Sequence, residues 1–212
     1  MRFVFLVLLC TNRLLSQSIE EHSGDSASVS AIHTLRGLRY DSLGDSQKAL
    51  TEFEMAVSFN PSNYKVLYLY GREKAEMGRH REAISILSSS VRFNKQDTVV
   101  LLATLLTRAR SKLMVEDSRG ALSDCNVALK LSPGNLDAIR LQAGAKYNMQ
   151  DATGAIKDFT TVINAKPDGE SYFYRGIAEL SIGQKENGCL DLSKSGEYGY
   201  TQAFEAIKKY CN

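Results

Sequence analysis

Three histidines, four cysteines and two Gly-Asp-Ser triplets are the residues whose types suggest chemistry. Gly24-Asp25-Ser26 and Gly44-Asp45-Ser46 each offer a serine as a nucleophile. A serine nucleophile needs a base within hydrogen-bond reach and a third group to orient that base. Hydrolases built on such a triplet draw an aspartate and a histidine from late in the chain. The histidines here are His22, His33 and His80, so none follows position 80. No two of them have metal-ligand spacing on a helix, and the cysteines form no C-x-x-C pair. No glycine loop of the phosphate-cradling type occurs. No catalytic residue, metal or cofactor is therefore expected, nor a small-molecule substrate. Gly44-Asp45 reads instead as a turn between two helices.

The cysteines point elsewhere. Cys10 lies in the first 18 residues, where Met1-Arg2 gives a positive start, Phe3 to Cys10 is apolar, and Ser16 and Ser18 are spaced as at a cleavage site. That order is a secretory signal peptide over 1–18. The apolar run is shorter than the roughly 20 residues needed to span a bilayer. An uncleaved anchor is the rival expectation, and membrane contact is expected only through such a segment. A lipid-modified Cys10 is disfavoured because Leu9, not a small residue, precedes it. Export, to a periplasm or the extracellular space, implies an oxidising compartment in which disulfides persist. Of Cys125, Cys189 and Cys211, the last two fall in the final helices and are expected to pair. Cys125 occupies an apolar position and reads as a small buried hydrophobe.

Charge excludes a further class. The chain has 26 basic and 24 acidic residues; residues 1–18 hold Arg2, Arg13 and no acid, which leaves 24 of each. Nucleic-acid binders carry a basic excess or stripe, so no nucleic-acid partner is expected.

The elements that position everything else come from a repeat. Ala49, Ala83, Ala121, Ala155 and Gly188 are separated by 34, 38, 34 and 33 residues. Gly37, Gly71, Ala109, Ala143 and Gly176 give the same intervals. Two tracks with one set of spacings define five units of two helices, with four extra residues near Val99 to Leu102. The turns fall at Gly44-Asp45, Gly78-Arg79, Glu116-Asp117, Gln150-Asp151 and Gly183-Gln184. Small residues on both tracks let paired helices approach, and Phe53, Leu87, Phe159 and Leu192 fill the space beside them. Pro61, Pro133 and Pro167 stop the second helices. Residues 19–29 read as a flexible polar leader, 30–199 as the array and 200–212 as a capping helix with Phe204, Ile207 and Tyr210 on one stripe. A cap of this kind covers the open face of a last repeat.

These positions and the period resemble the tetratricopeptide repeat (TPR). The resemblance covers about residues 30–195. It is strongest in units 1, 3 and 4; unit 2 has Lys95 in place of the proline and Leu87 and Ser90 in the Phe and Ala places. The tryptophan usual in the family is replaced by His33, Leu67, Leu105, Ile139 and Tyr172. The tail resembles those of exported bacterial members. The resemblance implies an all-α fold, a right-handed superhelix of five helix pairs plus a cap. It also implies a concave groove lined by the first helix of each unit, at positions that include Tyr68, Arg72, Leu106, Arg110, Arg140 and Tyr147. Arginine pairs carboxylates bidentately and tyrosine offers flat contact area, so an acidic or C-terminal peptide is the expected ligand. The asparagine, lysine and arginine set of the chaperone-binding members is absent. The function expected is a non-enzymatic scaffold for a protein or peptide partner. The alternative is a structural subunit of a cell-envelope complex that associates through its terminal faces.

Overall fold

A computed structural model describes residues 25–211; the expected signal segment, and His22 and Gly24 with it, lie outside the described residues. Among the described residues there are eleven helices and no strand. They form five antiparallel pairs: α1 (Ser26–Ser42) with α2 (Ser46–Phe59), α3 (Tyr64–Glu76) with α4 (His80–Phe93), α5 (Thr98–Met114) with α6 (Ser118–Leu131), α7 (Leu136–Asn148) with α8 (Ala152–Ala165), and α9 (Gly169–Ser181) with α10 (Lys185–Glu197). A single helix, α11 (Gln202–Tyr210), follows. Each helix packs on its neighbour in the chain, and first helices also touch across units from α3 to α9. This is a right-handed αα solenoid.

Asx side chains start most of these helices. Asp25, Asp45, Asn63, Asp97, Asp117, Asn135, Asp151 and Asp168 each accept a backbone N–H of the first turn. That satisfies one of the donors a helix start leaves unpaired. Asp25 and Asp45, the acids of the two Gly-Asp-Ser triplets, are thereby used as caps. The first helix begins at Ser26, so 26–29, expected in the leader, are helical. Its first turn is held by the Asp25 cap and by Ser30, whose buried hydroxyl donates to Ala56 O at 2.8 Å.

The two repeat tracks meet as expected. Phe53, Leu87, Phe159 and Leu192 are essentially inaccessible. A Cβ on Gly37 would lie 2.5 Å from the Phe53 ring, and one on Gly71 would lie 2.7 Å from Leu87. Unit 3 has Ala109 and the smaller Cys125 at these places, and both are buried in one cluster. Burial pushes the Cys125 thiol up to about 12, with Asp124 adding to the effect, so it is an inert packing residue. The four extra residues form one more turn of helix: α5 has 17 residues where α3 and α7 have 13.

Three inter-helix turns place a glycine in the left-handed region, at Gly44, Gly78 and Gly183. The other two force it on Glu116 (φ 65°) and Gln150 (φ 67°). A side chain there is disfavoured by contact between Cβ and the backbone. Glu116→Gly and Gln150→Gly are each expected to raise unfolding free energy by about 0.5–1 kcal/mol. Urea midpoints check this, and a fall in both would refute it.

A ladder of ion pairs joins the two helices of each later unit. Arg108 on α5 grips Asp124 on α6 through both ends of its fork (2.9 and 2.6 Å), and Lys112 adds a third contact at 2.9 Å. Arg108 also donates to Ser88 of the preceding unit at 3.0 Å. Arg175 repeats the arrangement with Asp191 (2.6 and 2.8 Å) and Thr160 (3.0 Å). Lys146 meets Asp158 at 2.5 Å, and Lys74 meets Glu82 at 2.8 Å. Lys74, Lys112 and Lys146 follow the repeat period, but the next place holds Glu179. Glu179 is 7% exposed, and its Oε2 has no hydrogen-bond partner. Burial, with the nearby Asp191 charge, pushes its carboxyl from 4.5 up to about 7 against the pull of Arg175. The folded state therefore holds this proton more tightly than the unfolded chain does. The stability that depends on this group is full below about pH 4.5 and declines as pH rises to about 7. Glu179→Gln is expected to remove that decline. The gain above pH 7 is about 2 kcal/mol, less than the shift alone would give because the amide needs partners in the same space. Urea unfolding at pH 5 and pH 8 checks it; an equal gain at both would refute the titration.

The capping helix differs from its expected packing. Ala203 and Ala206 face the array, whereas Phe204 is 59% exposed and Tyr210 is exposed beside it. The small face allows close approach to α10, as small residues do elsewhere in the array. The expected Cys189–Cys211 disulfide is present and ties the end of α11 to the start of α10.

Candidate functional site

The first helices of units 3, 4 and 5 are α5, α7 and α9, and they form the wall of a concave cavity of about 600 Å³. Leu113 and Met114 come from α5, Leu141, Gly144 and Tyr147 from α7, and Tyr174 from α9. Phe159 reaches the floor from α8 and stacks on Tyr174, with centroids 6.0 Å apart. Phe173 meets Tyr174 edge-on at 5.3 Å. The rim is charged, with Arg110, Asp137, Arg140 and Glu170.

Of the six expected groove residues, Arg110, Arg140 and Tyr147 line this cavity together. Tyr68, Arg72 and Leu106 are not among its lining residues. Leu106 is half-buried against the cluster of Leu105, Ala128 and Ala138. Tyr68 is half-buried on α3, further toward the N-terminal end.

The arginines divide by what holds them. Arg72 is bound by Asp41 of the preceding unit, with Glu76 at 3.5 Å. Arg140 reaches Asp137 and Asp168 at 3.0 Å each, and its Nε donates to Ser171 Oγ at 3.2 Å. Burial alone would raise the Asp168 carboxyl, but bonds from Ser171 and the Arg140 charge outweigh it and hold it below the ordinary value. Arg72 and Arg140 are thus bolts between neighbouring units. Arg110 is exposed and makes no ion pair among the described residues. Glu170, exposed on α9, likewise makes none.

Glu170, Tyr174 and Gly144 were not singled out by the sequence. Gly144 had a signal. Its register equivalents are Arg72, Arg110 and Ile177, all large. A glycine there opens the wall, and a Cβ added to it would meet only Leu113 Cδ1, at 3.8 Å.

His33, whose type suggests catalysis, has a packing role. His33 Nδ1 lies 2.8 Å from Glu52 Oε2, and its ring stacks on Phe59. Among the described residues, no group of three His, Cys, Asp or Glu side chains is placed to hold a metal ion. No helix among them is long and apolar enough to cross a membrane.

Paired helices at this period, with small and large residues alternating at their contacts, define a tetratricopeptide-repeat solenoid. Solved structures share this fold at low sequence identity. A structure of MamA aligns with TM-score 0.69 and 20% identity over 86% of this chain and 95% of its own. YrrB, described as a TPR protein with an unusual peptide-binding site, aligns with TM-score 0.73 and 16% identity over 91% and 97%. A tetratricopeptide repeat protein from Parabacteroides merdae ATCC 43184 aligns with TM-score 0.62 and 20% identity over 93% and 75%. No protein-family model matches the sequence, and no curated protein matches it.

Proposed function

We propose that this chain is a non-enzymatic scaffold that holds a protein or peptide partner in its concave groove, in an exported compartment. The observation that carries the proposal is the 600 Å³ cavity across α5, α7 and α9, where aromatic and apolar side chains are gathered beneath a charged rim. Concave sites with apolar walls and few polar groups are where proteins hold ligands. The peptide-binding site named for YrrB, which shares the fold, supports the same use. The Cys189–Cys211 disulfide supports export, because such bonds persist in oxidising compartments.

A photoreactive side chain at Tyr147, in the groove, tests this against one at Lys157, exposed on the second helix α8. Cross-links to one partner from 147 alone are the expected outcome. Equal yields from both positions, or yield from 157 alone, would remove the groove from the account. The mature N-terminus found in the exported fraction, read by mass, tests the compartment.

Association through the terminal faces is the second proposal. It is favoured by Leu35 and Leu43, 67% and 69% exposed on or beside α1, and by Phe204 at the other end. Sedimentation that depends on concentration in the wild-type chain, and not in Leu35→Glu, is its expected result.

A further inference from the structure

We infer that the groove takes an extended peptide segment with three features in fixed order: an acidic residue, a bulky apolar anchor and a basic residue. This rests on the groove being the binding site.

The anchor position follows from Gly144. At this step of the solenoid the other units project Arg72, Arg110 and Ile177. The missing side chain on α7 leaves a depression walled by Leu113, Leu141 and Tyr147 and floored by Phe159 and Tyr174. Such a recess suits a phenylalanine or leucine side chain. Burial of one is worth roughly 1.5–3 kcal/mol, about ten- to a hundredfold in affinity.

The charges follow from what the groove leaves unbalanced. Arg140 is neutralised by Asp137 and Asp168. Arg110, on α5 to one side of Gly144, has no carboxylate partner among the described residues. Glu170, on α9 to the other side, has no cation among the described residues. A ligand crossing α5, α7 and α9 in turn therefore meets a cation, an apolar recess and an anion. Packed helices lie about 8–10 Å apart and an extended chain advances about 3.3 Å per residue. Arg110 is level with Gly144 in the repeat register, so the acidic residue falls about three residues from the anchor. Glu170 stands level with Asp137, about 10 Å nearer the helix starts, so the basic residue falls about four residues from it. The opposite signs also fix the direction of the segment, because reversal places like charges together.

Two fluorescein-labelled peptides probe this, one with the order Asp, two spacers, Phe, three spacers, Lys, and one with that order reversed. Glycine and serine fill the rest. Anisotropy is read on the full chain. One of the two is expected to bind. Replacing its Phe by Ala weakens it at least tenfold. Gly144→Leu weakens the Phe peptide by as much and leaves the Ala peptide unchanged. Gly144→Ala, whose Cβ fits without displacement, serves as a folding control. Arg110→Glu weakens binding about tenfold, and a peptide with Lys in place of Asp recovers it. Binding that responds to Arg110→Glu but not to Phe→Ala or Gly144→Leu would overturn the anchor while the groove stands. Binding indifferent to every groove substitution, or no saturable binding by either peptide, would overturn both.

Discussion

Asp124→Ala is expected to lower the unfolding free energy by about 3–5 kcal/mol, the cost of breaking a buried ion pair from one side. The carboxylate is almost fully buried and is the shared partner of two cations, Arg108 and Lys112, which are themselves largely covered. Removing it strands both charges between α5 and α6. The equivalent change at Asp158, which faces Lys146 alone in a more open setting, costs less. Urea unfolding with an unchanged m-value reads the difference. Replacing all three groups by apolar residues, with Arg108→Leu, Lys112→Met and Asp124→Leu together, is expected to restore most of the loss. A single-mutant loss below about 1 kcal/mol would show that the cations escape to water, and the ladder would then be a surface feature.

Reduction of Cys189–Cys211, or the change Cys189→Ser, is expected to cost about 3 kcal/mol, since the bond closes a loop of about 20 residues. The effect should be local. The array-facing side of α11 rests on Ala203 and Ala206, which bury little area. The helix therefore depends on its tether more than on its packing. Hydrogen exchange over 202–210 should accelerate under reductant while α5 to α8 keep their protection. Unchanged exchange in α11 would mean that the alanine face suffices.

The solenoid was legible because its contacts demand residue types at fixed steps. A close approach at Gly37 needs glycine when Phe53 stands opposite, and such pairs recur with the repeat. The pairing of Cys189 with Cys211 was legible from position alone. Three features were not. Residues 26–29 lack apolar periodicity, and their helix depends on a cap and one buried hydroxyl. The face of α11 was misplaced because Phe204, Ile207 and Tyr210 make the stronger apolar stripe, while close approach favours the alanines. Of the groove arginines, Arg110 and Arg140 line the cavity and Arg72 does not, and which of them are already held by carboxylates was not legible. Asp41 and Asp168 come from neighbouring units, and their meeting with Arg72 and Arg140 exists only once the units stack; Asp137, three residues before Arg140 on α7, needs no stacking. The ladder did leave a trace, since Asp124, Asp158 and Asp191 keep the repeat period.

The disulfide also gives the molecule a polarity under load. A solenoid is held by contacts between neighbours, so it melts inward from its ends. Among the described residues, one end is stapled and the other carries no such bond. Among the described residues unit 1 has a neighbour on one side only, and its leading helix carries exposed Leu35 and Leu38. Traction or a processive protease working from the amino end would peel pairs off one by one. The same force applied at the carboxyl end would meet a closed covalent loop before any helix pair yields. Load at the carboxyl end passes through the bond to Cys189, so residues 190–210 stay slack and folded while the α9–α10 pair carries the pull.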